Sequence, residues 1–302
     1  MFFSKVLTPQ KNPNPKKISI LGDSALSLTI ANDLQNIGHT VKIICSPQLS
    51  DEYNATDFIF KDSHFLQHHQ AKFFFSFEQN DVSDLLIIAS DITSLRNDLL
   101  LISTAKLQNS LILNLTPYSP QTMLKEILES APIEARNLSL LWKHKNTISN
   151  SDLGVTLYLP SDTKDIHVNI LQEIFKNSKI NIELSDSFDS CHWEWIAIRV
   201  LFLLCLCLKQ HPQLLYKNDS IRLQTDNCLK EISHIANLKS QTIDTNKVIN
   251  ILQNTPNNLN TPIPQDSKSF NIYTERLFNI IFQGVALDEK RFPTLKMIFN
   301  NI

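Results

Sequence analysis

Residues 16–44, KKISILGDSALSLTIANDLQNIGHTVKII, constrain the fold of this chain more than any other segment. The run 17–21 is apolar with β-branched residues and predicts a strand, while apolar residues at helical spacing predict a helix over 24–37. Gly22 follows the strand directly, where glycine permits a tight turn, and Gly38 ends the helix. A second strand then completes strand, turn, helix and strand, which is the opening unit of a dinucleotide-binding domain.

Further apolar runs continue this alternation. They predict strands at 73–77, 85–89, 111–115, 139–141, 155–159 and 180–184, and helices at 92–107 and 165–177. Alternating strands and helices indicate a parallel sheet that is covered on both faces. After residue 186 the pattern becomes helical with polar connections. We therefore predict an α/β fold: a flexible tail (1–16), an N-terminal Rossmann-like parallel-sheet domain (17–186) and an all-helical C-terminal domain (187–302).

Composition narrows the functional classes. Lys and Arg total 28 and Asp and Glu total 30, so a net charge of -2 gives no electrostatic reason to expect nucleic acid or an anionic membrane as partner. The apolar run 200–208 is too short to span a bilayer and predicts a buried helix. The N-terminal residues show no apolar signal-peptide core, so we expect a cytoplasmic protein.

Metal chemistry is not expected. The five cysteines form no CxxC pair and lie mostly in apolar runs, as buried thiols do in a reducing compartment. His64, His68 and His69 have a spacing that would put two zinc ligands on one helix face, but no regularly spaced third ligand follows. We therefore interpret them as part of a solvated helix.

The opening turn departs from the G-x-G-x-x-G pattern of dinucleotide sites. Gly22 keeps the tight turn, whereas Ser24 and Ser27 replace the other two glycines. Serine hydroxyls and the open N–H groups of a helix N-terminus can bind a phosphate. Against this, Asp23 adds a negative charge there, and a serine-capped helix without ligand explains the same residues.

The candidate cofactor residues lie at the ends of three predicted strands. They are Gly22, Ser24, Ala25, Leu26 and Ser27 in the turn, Ser46 after the second strand and Ser90 after a later one. An acidic residue after the second strand would select NAD, but Cys45 and Ser46 stand there. NADP is therefore favoured over NAD.

Several other segments share one order with a known family. These are LLIIASDITSLRNDLLLI, LILNLTPYSP, SDSFDSCHWEWIAIRV, TPIPQDSKSFNIYTERL and FPT. Together with the opening unit, they resemble the ketopantoate reductases (2-dehydropantoate 2-reductases) over nearly the whole chain. That resemblance implies a Rossmann domain, a helical second domain, and NADPH-dependent reduction of ketopantoate to pantoate in pantothenate and coenzyme A synthesis.

The chain departs from this family at the residues expected to do the chemistry. Trp193 matches the family's tryptophan, and the catalytic lysine then falls on Trp195 and an asparagine on Arg199. Ser90 follows the strand that usually precedes another lysine. The family's Asn-Gly pair falls on Thr116-Pro117, with Asn114 two residues earlier.

The late motif is better retained. Gln265 and Asp266 match the family's Gln-Asp pair, and Glu275 matches its glutamate after a one-residue shift. The resemblance thus implies that Glu275 binds a substrate hydroxyl. The candidate substrate-binding residues are therefore two at the end of the strand 111–115, Asn114 and Thr116, and two in the late motif, Gln265 and Asp266.

A ketone reductase needs a proton donor or oxyanion donor besides hydride, and an indole cannot supply the proton. His192 and Arg199 share a helix face with Trp195, so His192 is a candidate acid and Arg199 a candidate for binding a carboxylate or an oxyanion. A lysine of segment 142–145 is a further candidate. Alternatively, His192 only begins a helix and Arg199 pairs with a surface acid.

Three hypotheses follow. The first is an NADP-dependent ketopantoate reductase with a rebuilt active site, possible as a homodimer through the C-terminal helices. The second is a relative that has lost catalysis and acts as a ligand-binding or protein-interaction module. The third is a reductase of another small 2-keto acid.

Overall fold

A computed structural model describes most of the chain. The described residues are 14–62, 68–76, 82–91, 94–102, 110–116, 128, 132–138, 141–144, 147–150, 155–255, 267–283, 285 and 290–301. The strands are β1 Lys17–Leu21, β2 Thr40–Ile44, β3 Phe58–Asp62, β4 His68–Ala71, β5 Phe74–Ser76, β6 Leu85–Ile88, β7 Leu111–Asn114, β8 Ile133–Glu134, β9 Leu141–His144, β10 Thr147–Asn150, β11 Val155–Pro160 and β12 Ile180–Ser185. The helices are α1 Ala25–Asn36, α2 Pro47–Asn54, α3 Leu95–Leu99, α4 Asp165–Ile174, α5 Phe188–Leu208, α6 Asp219–Leu238, α7 Thr245–Gln253, α8 Ser267–Phe282 and α9 Pro293–Asn300, with a short 3₁₀ helix at Pro212–Leu214.

The centre of the N-terminal region is a six-stranded sheet in the order β5-β2-β1-β6-β7-β8, in which every neighbouring pair is parallel. Its strands read as continuous apolar runs because both faces are buried. Ile18 and Ile20 face one core, whereas Leu21 and Ile88 face another. The predicted Rossmann-like sheet is therefore confirmed.

A second, four-stranded sheet was not expected from the sequence. Its order is β4-β3-β10-β9, and β4 pairs antiparallel with β3. His68 and His69 lie in β4, so the predicted helix at these residues is wrong there, and His64 lies outside the described residues. Their spacing suggested a helix, but pairing with the distant β3 decided the backbone conformation.

The C-terminal region is helical, which confirms the second half of the predicted fold class. Helix α5 is apolar on nearly all sides and packs against α6, α7 and α9. By length and composition it is the one helix in the described residues that is apolar enough to cross a membrane, but 72% of its most apolar window is buried within the protein. An all-round apolar helix of this kind is typical of the centre of a helical core.

The predicted domain boundary at residue 186 falls between β12, which ends at Ser185, and α5, which begins at Phe188. Its exact position stays a prediction. The predicted helix at 92–107 is described only over α3, where Leu95–Leu99 is helical, because 103–109 lie outside the described residues. Helix α2, which begins at Pro47, was not predicted at all.

Candidate functional site

The turn after β1 is built around Gly22. Its φ is +96°, and a Cβ at this position would lie 2.5 Å from the Ser90 Cα and 2.8 Å from the Ser90 nitrogen. The backbone after β6 therefore approaches so closely that only glycine fits. The Ser90 hydroxyl donates to the Leu21 carbonyl at 3.3 Å, so Ser90 itself ties the ends of β1 and β6 together.

The two serines that replace glycines are hydrogen-bonded to the backbone at the end of β6. Ser24 is the N-cap of α1, and its Oγ accepts from the Ser27 N–H at 3.1 Å. Both hydroxyls also donate to the Ala89 carbonyl, at 2.6 Å from Ser24 and 3.0 Å from Ser27. Ser27 thus fills the place of close helix–strand packing that a third glycine usually occupies.

The first turn of α1 can still receive a phosphate through its backbone. The N–H groups at the start of a helix have no partner within it, and those of Ala25 and Leu26 belong to this set. Ser46 precedes α2 at the end of β2, and its side chain makes no cap hydrogen bond. These residues would hold a dinucleotide by its pyrophosphate and its adenosine ribose, so the backbone fits the group.

The charges around this turn are acidic. Asp23 accepts a hydrogen bond from the Tyr53 hydroxyl at 3.0 Å. Asp98 on α3 is buried, and burial raises the pKa of its carboxyl, with Asp23 adding to the rise and Ser94 opposing it. Two carboxyl groups beside an anion site weaken the binding of a pyrophosphate.

At the same edge of the sheet, β7 and β8 end in a buried polar network. The Asn114 amide oxygen accepts from the N–H and the hydroxyl of Thr116, while its Nδ2 donates to Glu134 Oε2 at 2.9 Å. Asn114 and Thr116 are 0% and 2% exposed. They therefore fix the strand end and would position other groups there.

Glu134 and Arg136 were not identified from the sequence. Arg136 NH1 donates to Glu134 Oε2 at 3.2 Å, and its guanidinium carbon lies 4.7 Å from the ring centroid of Phe188, the first residue of α5. Burial raises the pKa of Glu134, although the charge of Arg136 opposes the rise. This pair joins the sheet edge to the helical region.

A second arginine lies on the helical side, in α5. Arg199 on α5 lies over the ring of Trp195, with 4.9 Å from guanidinium carbon to ring centroid. Tyr273 of α8 is 4% exposed, and its buried hydroxyl makes no well-aligned hydrogen bond within the described residues. Burial raises the pKa of Tyr273 to about 12; nearby Arg199 opposes this rise and Asp91, just after β6, reinforces it.

The sequence singled out Arg199 but not Tyr273. Tyr273 lies in the retained segment around Glu275, where Leu277 and Ile281 follow it at helical spacing, so it reads as a core residue. The environment of its hydroxyl, on which the charges of Arg199 and Asp91 act, is what singles out Tyr273 in the structure.

His192 has an environment that its sequence position did not indicate. Burial lowers its pKa to about 3, with further lowering by the charges of Arg136 and Lys239. The ring is therefore neutral at neutral pH, so an imidazolium is scarce as proton donor. Its Nδ1 is buried and has no hydrogen-bond partner among the described residues.

The remaining candidates are placed apart or not described. Glu275 is exposed and lies two residues from Tyr273, on the opposite side of α8. Gln265 and Asp266 lie outside the described residues.

The role of the lysine candidates in segment 142–145 stays a prediction. Lys143 is in β9 with its side chain undescribed, and Lys145 lies outside the described residues. Lys247 approaches α5, but its Nζ lies 2.9 Å from a Glu194 carboxylate oxygen. Burial lowers the pKa of Lys247, and the hydrogen bond and charge of Glu194 outweigh this, so the net shift is upward. No group of three or more metal-ligating side chains occurs within the described part of the chain.

Taken together, a parallel Rossmann-like sheet, a glycine turn over the first strand and a helical region beside the carboxyl edge define the class of two-domain dinucleotide-type folds. No protein-family model and no curated protein sequence matches the chain. Solved structures do match it, at probability 1.00.

D-mandelate dehydrogenase with NADH and anilino(oxo)acetate is 14% identical with a TM-score of 0.69, over 94% of this chain and 96% of that one. A ketopantoate reductase from Ralstonia eutropha is 16% identical with a TM-score of 0.67, over 94% and 96%. The dimeric ketopantoate reductase from Staphylococcus aureus is 15% identical with a TM-score of 0.66, over 94% and 97%. The chain therefore has the ketopantoate reductase fold over nearly its whole length.

Proposed function

We propose that this chain is an NADPH-dependent reductase of a small 2-keto acid, with ketopantoate as its substrate, in the cytoplasm. The observation that carries the proposal is the buried Tyr273 hydroxyl, which makes no well-aligned hydrogen bond within the described residues and on which the charges of Arg199 and of Asp91, just after β6, both act. Ligands of open α/β sheets bind at the carboxyl ends of the strands. The fold likeness to ketopantoate reductases and to a dehydrogenase in complex with NADH supports the same reaction class.

In this proposal, the cofactor supplies hydride to the carbonyl carbon, and the protein must stabilise the oxygen. Tyr273, whose pKa is raised to about 12 by burial, is protonated at neutral pH, and its O–H would donate a proton to the more basic developing alkoxide, helped by the charge of Arg199, which lowers that pKa. Arg199 would stabilise the phenolate until solvent returns the proton. The pair would replace the family lysine that Trp195 displaces.

The other predicted residues take supporting roles. Gly22, Ala25, Leu26 and Ser46 would contact the cofactor, whereas Glu275, on the opposite side of α8 from Tyr273, takes no part in this arrangement. A homodimer through the C-terminal helices is part of the proposal, and the likeness to a dimeric ketopantoate reductase supports it.

A binding module without catalysis is the second candidate. It is favoured by the acidic turn at Asp23 and Asp98 and by the satisfied hydroxyls of Ser24 and Ser27. Both features weaken the case for tight pyrophosphate binding.

Titration with NADPH and NADH, followed by thermal unfolding, separates the candidates. A cofactor at 100 times its dissociation constant stabilises the folded state by about 2.7 kcal/mol. We expect a shift with NADPH, and then ketopantoate-dependent loss of NADPH absorbance. No shift with either cofactor would contradict the reductase, and a shift without turnover of ketopantoate would favour another 2-keto acid.

A further inference from the structure

Arg136 occupies the gap between the end of β8 and the start of α5, and only part of its guanidinium is used. NH1 donates to Glu134 Oε2 at 3.2 Å, and the same oxygen accepts from Asn114 Nδ2 at 2.9 Å. The guanidinium plane lies against Phe188, with its carbon 4.7 Å from the ring centroid. These contacts fix the guanidinium and commit one of its corners to Glu134.

The opposite corner is unsatisfied. Arg136 Nε is buried and has no hydrogen-bond partner among the described residues. Arginine binds carboxylates through two neighbouring N–H groups, and Nε with its adjacent terminal nitrogen forms such a pair. Because buried polar atoms are nearly always paired in folded proteins, an unpaired Nε beside a fixed guanidinium points to an absent ligand.

His192 presents a second unpaired atom to the same place. It follows Phe188 by four residues on α5, so it lies one helical turn, about 6 Å, along the same face. Its buried Nδ1 has no partner in the described part of the chain, and the charge of Arg136 acts on the ring. Lys239 adds another positive charge nearby.

We propose that Arg136 and His192 form the subsite that binds the carboxylate of the 2-keto acid substrate. Arg136 donates Nε–H and its neighbouring N–H to the two carboxylate oxygens, and neutral His192 donates Nδ1–H to one of them. This inference rests on the proposed function, because it assigns one end of that substrate.

The local charge favours a monoanion. Arg136 and Lys239 supply two positive charges, Glu134 neutralises one of them, and the His192 ring is uncharged, so one carboxylate balances the site whereas a phosphate dianion would not. Arg199 lies seven residues, about 10 Å, further along α5 on the same face. The carboxyl and ketone carbons of a 2-keto acid are bonded to each other, so the side chains of Arg136, after β8, and Arg199, on α5, would converge on neighbouring groups of one small substrate.

The test compares 2-oxoisovalerate with its methyl ester, which has the same carbon skeleton without the charge. Binding is measured with NADP⁺ present, so that no turnover occurs. We expect the wild-type protein to bind the acid at least about tenfold more tightly than the ester, as a charge-assisted bidentate pair provides. The ¹⁵N resonances of His192 should move with the acid and not with the ester.

The variants are chosen so that neither Arg136 nor Glu134 is left as a buried charge without its partner in the decisive comparison. Arg136→Gln alone would leave Glu134 buried without its cation, so the decisive variant is Arg136→Gln with Glu134→Gln. It should lose the preference for the acid while binding NADP⁺ normally. Glu134→Gln alone should keep the preference, and Arg222→Gln, which changes an exposed arginine of α6, is the matched control.

Equal affinity of the wild-type protein for acid and ester would overturn the subsite, as would an unchanged preference in the double variant. Failure of NADP⁺ to bind would overturn the proposed cofactor instead. In that case the acid and the ester are titrated without cofactor. A shift of the His192 ¹⁵N resonances with the acid and not with the ester would still support the subsite, and equal shifts would overturn it.

Discussion

The two ends of the proposed site accommodate unusual residues in opposite ways: the proposed nucleotide end is the turn after β1, and the proposed substrate end is the region of His192 and Tyr273. At the nucleotide end, Ser24 and Ser27 replace glycines, and the Ala89 carbonyl satisfies both hydroxyls. At the substrate end, His192 Nδ1 and the Tyr273 hydroxyl are buried without well-aligned partners in the described part of the chain. The first end is satisfied by the fold alone, and the second is not.

Their charges differ as well. Asp23 and Asp98 make the nucleotide end acidic, whereas Arg136 and Arg199 make the substrate end basic. An unsatisfied buried polar group lowers the free energy of unfolding by about 1–3 kcal/mol. His192 and Tyr273 therefore reduce the stability of the folded protein, and folding alone does not explain their presence beside two cations. The comparison teaches that a substitution at a motif position argues against function only where the new side chain is fully hydrogen-bonded within the fold, as Ser24 and Ser27 are.

The largest effect is expected where the nucleotide end is most tightly built. Gly22→Ala should lower the free energy of unfolding by about 3 kcal/mol, from left-handed strain and from overpacking. The new Cβ would lie 2.5 Å from the Ser90 Cα, which is backbone and cannot rotate away. Urea denaturation measures the loss. Gly38 has the same φ of 96°, so Gly38→Ala isolates the strain, and equal losses would contradict the clash.

At the substrate end, activity and stability should separate. Tyr273→Phe should lower kcat by about 100-fold, as loss of an oxyanion donor does. The free energy of unfolding should stay equal or rise, because the deleted hydroxyl is buried without a well-aligned hydrogen bond. Steady-state kinetics and urea denaturation measure the two quantities. Tyr216→Phe, in the helical region before α6, is the control, and parallel loss of stability with activity would refute the assignment.

The neutral His192 ring predicts a pH dependence of stability. The unfolded imidazole takes up its proton near pH 6.5, whereas the native one does so at about 3. Between these values the unfolded state binds more protons, so stability falls as the pH falls, by up to about 1.4 kcal/mol per unit. His192→Gln should flatten this part of the profile in urea denaturation from pH 7 to 4. The same flattening in His234→Gln, which alters an exposed histidine, would argue against it.

The smallest effect tests the acidic nucleotide end. Asp23→Asn should tighten NADPH binding about fivefold, because one solvent-screened charge a few ångströms away contributes about 1 kcal/mol. The amide oxygen can still accept from Tyr53, so the local structure should persist. Fluorescence titration gives the dissociation constants, with Asp162→Asn as an exposed control. Unchanged affinity in Asp23→Asn would show that the carboxylate does not face the cofactor.

Much of the fold was determined by the sequence alone. The opening strand, turn and helix, the parallel sheet and the helical C-terminal region all follow from local apolar periodicity and from turn residues such as Gly22. These signals are local, so they survive without knowledge of the partners. The four-stranded sheet was missed because β4 gains its conformation by pairing with β3.

The site was decided by tertiary structure. The sequence singled out Asn114, Thr116 and Arg199, but Glu134, Arg136 and Tyr273 carry no motif and become visible only where strand ends and helices from distant parts of the chain meet. The pattern also predicted a titrating His192 and phosphate-binding serines. Burial and the Ala89 carbonyl changed those properties, and neither can be read from neighbours in sequence, because desolvation depends on what packs around a group in space.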